Sequence, residues 1–121
     1  MAAVIKSVSF DCADALALAR FWAAALGTDV DEDATSDRAY VEAAGWGGPN
    51  MWFNRVPEPP GIAKNRVHFD LRSPATMRAE VERLTALGAT VAEQDGSHTV
   101  MHDPEGNVFC VELGPDDDAP G

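Results

Sequence analysis

The chain has 121 residues, 45% of them hydrophobic, the size of one domain with a real core. Its net charge of −11, from 20 acidic against 9 basic residues, excludes nucleic acid as an expected partner, because phosphate contacts need clustered Lys and Arg. No apolar run approaches the roughly 20 residues that cross a bilayer, and Met1 to Lys6 lacks a signal peptide's basic start and long apolar stretch, so no membrane role and a cytoplasmic location are expected.

In chain order, Val4 to Cys12 reads as a strand, after which Asp14 caps a helix that ends at Gly27. Leu18, Phe21, Trp22, Ala25 and Leu26 recur at the spacing of one buried helical face. Arg38 to Glu42 and Asn50 to Val56 follow as short strands, joined by the glycine-rich Gly45-Trp46-Gly47-Gly48-Pro49. A proline-stiffened stretch then leads to a second strand–helix unit. Val67 to Leu71 is its strand, Ser73 is the expected helix cap with Pro74 in the first turn, and Gly88 closes a helix striped by Met77, Val81 and Leu84. Three strands complete the chain: Thr90 to Glu93, Ser97 to His102 and Asn107 to Leu113.

Leu26-Gly27-Thr28-Asp29-Val30 recurs as Leu87-Gly88-Ala89-Thr90-Val91, so the chain is written twice as βαβββ. The expected organisation is a single domain with module one over 1–56, a linker over 57–64, module two over 65–114 and a disordered acidic tail over 115–121. Cys12 and Cys110 lie in apolar strand contexts and read as small buried hydrophobes rather than a disulfide framework.

One acid stands out in the last strand. Side chains alternate along a strand, so Glu112 shares a face with Val108 and Cys110 while Phe109, Val111 and Leu113 take the other. Both faces look buried, and a bare carboxylate there costs several kcal/mol, so Glu112 needs a proton, a cation or a metal. His68 is its expected partner. The same alternation puts Arg66, His68, Asp70 and Arg72 on one face, Ser7, Ser9 and Asp11 on another, and Trp52 beside Asn54. No GxSxG, P-loop or dinucleotide fingerprint occurs, which removes support for hydrolase, kinase and nicotinamide roles.

The order Asp14 to Phe21-Trp22 to Leu26-Gly27, Arg66-Val67-His68-Phe69-Asp70, Leu87-Gly88-Ala89 and Asp103-Pro104-Glu105-Gly106-Asn107 before Glu112 resembles the vicinal oxygen chelate superfamily. That group includes glyoxalase I, bleomycin-resistance proteins and extradiol dioxygenases, and within it the chain resembles the small glyoxalase-like domains. The resemblance implies an α+β fold in which two βαβββ modules form a curled mixed sheet with the helices on its outer face. In the metal-dependent members it also implies four ligand positions inside the sheet, one on the first and one on the last strand of each module. Counted from the repeat's glycines, these positions hold Ser7 (or Ser9), Asn54, His68 and Glu112 here, so the first module lacks strong ligands. His98 and His102, four apart on one strand face, are the residues that could restore a metal site.

Two functions follow as expectations. The first is a glyoxalase-like protein that binds a small organic molecule, cationic or aromatic, in the sheet cavity through Trp52, Trp46, Asn54, Ser7 and Asp70, without a complete metal site and with no cofactor. The alternative is a lyase, isomerase or dioxygenase of the glyoxalase type in which His68 and Glu112 are catalytic, holding a divalent metal (Zn, Fe, Ni or Mn) or acting as an acid–base pair. A homodimer is expected from the resemblance.

Overall fold

The computed structural model describes residues 1–3, 5–43, 48–57 and 65–117. Val4 and Trp46, the linker from 58 to 64 and the end of the acidic tail from 118 lie outside the described residues. Two compact units result, Met1–Gly61 and Ile62–Gly121, each carrying one copy of the repeat.

The first unit holds β1 (Ser7–Cys12), α1 (Ala15–Leu26), β2 (Arg38–Val41) and β3 (Asn50–Arg55), with the sheet ordered β1-β3-β2. Strand β1 runs parallel to β3, and β2 runs antiparallel to it. A lone bridge between Val30 and Val41 stands where the strand after the helix, the counterpart of Thr90–Gln94 in the second unit, is expected. Asp14 caps α1 as its sequence requires, its carboxylate accepting from the Ala17 N–H at 3.1 Å. Gly27 ends the helix in the left-handed region at φ 71°, the conformation that a side chain would resist. The apolar face of α1 lies on β2 and β3, and Leu18 and Trp22 of the helix and Val41, Met51 and Phe53 of the strands are all essentially buried. Phe10 joins this layer, its ring 5.1 Å from that of Phe53 and 6.0 Å from Trp22. Full burial of each such side chain contributes roughly 1.5–3 kcal/mol.

The second unit holds β4 (Phe69–Arg72), α2 (Met77–Ala86), β5 (Thr90–Gln94), β6 (His98–His102) and β7 (Val108–Glu112) in a four-stranded sheet ordered β4-β7-β6-β5. The topology repeats the first unit: β4 runs parallel to β7, and the remaining pairs are antiparallel. Phe109, Val111, Thr99 and Met101 are buried on the side of α2, where Val81 and Leu84 also lie. The architecture is α+β, built as two mixed sheets of three and four strands.

Three sequence expectations are corrected. Helix α2 is capped by Thr76, whose hydroxyl accepts from the Ala79 N–H at 3.1 Å, and not by Ser73. The Ser73 hydroxyl is spent elsewhere: fully buried, it donates to the Glu112 carbonyl at 2.6 Å, so the chain passes Pro74 before it coils. The start of the acidic tail is also bonded rather than solvated, since the Asp117 carboxylate accepts from the Met77 N–H at 2.6 Å and the Gly114 N–H at 2.8 Å. An acid at a helix N-terminus meets free N–H groups and the positive end of the helix dipole. Glu112, finally, is half-buried, because its face of β7 is turned away from α2.

The turn before β7 is fixed by Asp103, only 3% exposed, whose carboxylate accepts from the backbone N–H of Glu105 and Asn107 and from the Asn107 side-chain amide. Asn65 holds the strand's first residue, its Oδ1 accepting from the Val108 N–H at 2.8 Å. Among the described residues no helix is long and apolar enough to cross a membrane.

Gly114 sits where β7 leaves the sheet beside Ser73 and Ala75, and a Cβ there would run into both of their carbonyl oxygens. Gly114→Ala is expected to destabilise the chain by about 1–3 kcal/mol in urea titrations, as overpacking does. Gly96→Ala, where a Cβ meets open space, is the control and leaves the midpoint nearly unchanged.

Candidate functional site

Since β4 and β7 are parallel and in register, Phe69 stands opposite Phe109, Asp70 opposite Cys110, Leu71 opposite Val111 and Arg72 opposite Glu112. Antiparallel pairing then sets His98 opposite Glu112 and Val100 opposite Cys110. With a period of two, Asp70, Arg72, Cys110, Glu112, His98 and His102 share the face turned away from α2.

That face carries a pocket of about 510 Å³ lined by His68, Asp70, Ser97, His98, Cys110 and Glu112, with Leu113 at its edge. His68 lies just before β4, its Nε2 3.4 Å from Asp70 Oδ1. Donor atoms of His68, Asp70 and Cys110 all lie within 4.8 Å of one another. Glu112 is outside that group. It lies two pairs further along the ladder, beside Arg72 and His98, and His68 groups with Asp70 and Cys110 rather than with the carboxylate the sequence pointed to. His102 lies at the opposite end of β6 from His98, opposite Val108.

His98 is positioned by a tight turn. Asp95 Oδ1 accepts from the N–H groups of Ser97 at 2.7 Å and His98 at 3.0 Å and from the Ser97 hydroxyl at 2.9 Å, while its Oδ2 lies 3.3 Å from His98 Nδ1. These donors, with the backbone N–H of Ser97 foremost, hold the Asp95 carboxyl below its ordinary range. On α2, the Arg83 guanidinium is raised by its hydrogen bonds to Glu80, 2.7 and 2.9 Å long. That pair fastens a buried carboxylate and takes no part in the pocket.

The polar face of the first unit is of another kind. Trp52 stands between Ser9 on β1 and Tyr40 on β2, with the Tyr40 ring 4.5 Å away and the Arg38 guanidinium 4.5 Å over the indole. Asp31, Asp33, Thr35 and Arg38 line a smaller pocket with it, of about 340 Å³. Part of the stacking surface the sequence assigned to a guest is therefore already taken by Arg38, a cation–π contact. Ser7 pairs with Asn50 whereas Asn54 pairs with Asp11, four residues along parallel strands, or roughly 13 Å at ~3.3 Å per residue. The structure does not bring Ser7 and Asn54 together.

A family model described as a glyoxalase-like domain matches residues 7–112, almost the whole chain. The chain belongs to that family. No curated protein sequence matches this glyoxalase-like chain. Among solved structures it is similar to a glyoxalase/bleomycin resistance protein/dioxygenase family enzyme from Burkholderia phytofirmans, at 21% identity and TM-score 0.70 over 90% of this chain and 97% of that one. A glyoxalase-related enzyme from Fulvimarina pelagi has TM-score 0.70 at 14% identity, covering 94% and 90% of the two chains. A mutant of the fosfomycin resistance protein FosX from Listeria monocytogenes, complexed with Mn(II) and a dihydroxypropylphosphonic acid, has TM-score 0.69 at 12% identity over 94% and 92%. At these identities the likeness establishes the fold.

A resident metal of the kind seen in that FosX complex finds a poor donor set at the four positions this chain would offer it. Ser7 and Asn54 are neutral oxygens set apart along their strands, and Glu112 stands outside the close group around His68.

The lowered Asp95 carboxyl stabilises the fold at and above the ordinary carboxylate range, and that contribution fades as pH falls through its depressed native value. Asp95→Asn is accordingly expected to lower the denaturation midpoint at neutral pH, with the gap to wild type closing on acidification. A gap of constant size across that range would contradict the assignment.

Proposed function

We propose that this glyoxalase-like domain binds a small organic cation on the polar face of its second sheet, without a complete family metal site. The observation that carries the reading is the lining of the pocket: two carboxylates, Asp70 and Glu112, face two imidazoles, His68 and His98, in a volume of about 510 Å³. The two carboxylates of this lining attract a cation. The volume falls within the roughly 300–1,000 Å³ of small-molecule sites. Trp52, Asn54, Ser7 and Trp46, the ligand contacts that the sequence suggests in the first module, stay with this reading as candidates. A homodimer, from the family resemblance, and a cytoplasmic location, from the lack of a signal-peptide pattern in the sequence, complete it.

A second reading has one observation in its favour: His68 and Glu112 line one pocket, which suits an acid–base pair in a lyase or isomerase of the glyoxalase type. In this reading imidazole accepts a proton from a bound carbon acid and the resulting imidazolium returns it, while the carboxylate orients the substrate. Substrate turnover abolished by His68→Ala separates it from simple binding.

Titration calorimetry with a panel of aromatic ammonium and amidinium compounds, each beside its neutral isostere, tests the first reading. Cations bind and neutral isosteres do not, and Asp70→Asn and Glu112→Gln each weaken the binding roughly tenfold, the order of a charge-assisted hydrogen bond. Equal affinity for charged and neutral members, or no heat from any cation, overturns it.

A further inference from the structure

We infer that His68, Asp70 and Cys110 form a binding site for a soft divalent metal ion, built entirely within the second module, which shares His68 with the four positions of the metal-dependent relatives but takes Asp70 and Cys110 in place of the other three. The inference rests on the reading of this face as a cation site, but not on the organic guest.

The backbone places the donors. Asp70 and Cys110 are direct partners in the parallel β4–β7 ladder and point to the same side, and His68 precedes Asp70 by two residues and so returns to that side. Their donor atoms lie within 4.8 Å of one another. A tetrahedral zinc ion, with donors at about 2.0–2.3 Å, requires donor-to-donor edges of roughly 3.3–3.6 Å. The His68 Nε2 to Asp70 Oδ1 edge, at 3.4 Å, has that length already. Both of these side chains are exposed, so a rotamer-scale movement brings them to the half-buried Cys110 sulfur without disturbing the core.

The donor types select the metal. A thiolate with an imidazole and a carboxylate suits zinc or cobalt and is a poor set for magnesium or calcium, which take oxygen ligands. Three protein donors leave a fourth position open, and here it faces the pocket that Glu112 and His98 also line. The same pocket would then present an ion with an exchangeable position to a ligand from solution. Cys12, the other thiol, is buried in the first module and is no part of this set.

Cobalt(II) titrated into the reduced, chelator-treated full chain reads the site directly, because a cysteine thiolate bound to cobalt adds a charge-transfer band in the near ultraviolet. The expected result is one equivalent bound with that band, displaced by zinc and not by magnesium. Cys110→Ser abolishes the band while Cys12→Ser keeps it. Asp70→Asn and His68→Ala, both surface changes that leave the circular dichroism spectrum intact, weaken cobalt binding by at least the roughly tenfold that loss of even an outer partner costs. No thiolate band in wild type, a band that survives Cys110→Ser, or unchanged affinity in Asp70→Asn overturns the inference. A failed cobalt titration beside successful binding of organic cations removes this inference alone, whereas a cobalt band without any organic guest removes the other.

Discussion

The parallel register between β4 and β7 decides what the second sheet can do. Neighbouring strands bring side chains into contact where the ladder sets them opposite or diagonal to one another, and this ladder sets Asp70 opposite Cys110 and Arg72 opposite Glu112. The same ladder packs Phe109 and Val111 beneath α2, so polar and apolar faces cannot be exchanged without losing the core. A slip of one residue would bury Cys110 and Glu112 and expose Phe109. A slip of two would keep the faces but change every neighbour. The Asp103 turn and the Asn65 bond to Val108 fix the strand's starting point and so stand against the second kind of slip.

The duplicated modules use one scaffold for two surfaces. In each, the first strand runs parallel to the last and a single helix covers the apolar side. On the polar side, the first module sets Trp52 between Ser9 and Tyr40 with Arg38 above it, whereas the second sets Cys110 between Asp70 and Val100. One surface is aromatic and internally stacked; the other is acidic, with imidazole and thiol groups around an open pocket. The backbone is shared and the chemistry is not.

Much of the fold was legible because its signals are local. Asp14 and Gly27 bracket α1, apolar spacing gives its buried stripe, and the strand bounds fall within a few residues of where turns and alternation put them. The start of α2 was misread for a tertiary reason: Ser73-Pro74 carries the local signature of a cap, but the Ser73 hydroxyl is bound to the end of β7. Asp117 is a similar case, an acid in a solvated-looking run that reaches back to the start of α2. The site was half legible. Alternation alone puts His68, Asp70, Cys110 and Glu112 on one face, but it says nothing of how far each strand is displaced along its neighbour, and that displacement gives His68 the company of Cys110. Cys110 was passed over because an apolar context argued for packing, although its place on the Glu112 face was the signal available. Arg38 over Trp52 joins β2 to β3 and has no trace in the spacing of either strand.

Cross-strand nuclear Overhauser contacts in the isotope-labelled chain test the register most directly. Contacts that join Asp70 to Cys110 and Arg72 to Glu112, with His98 facing Glu112, are the predicted pattern. Contacts joining Asp70 to Glu112 would mean a ladder shifted by two residues, and the grouping of imidazole, carboxylate and thiol would not exist.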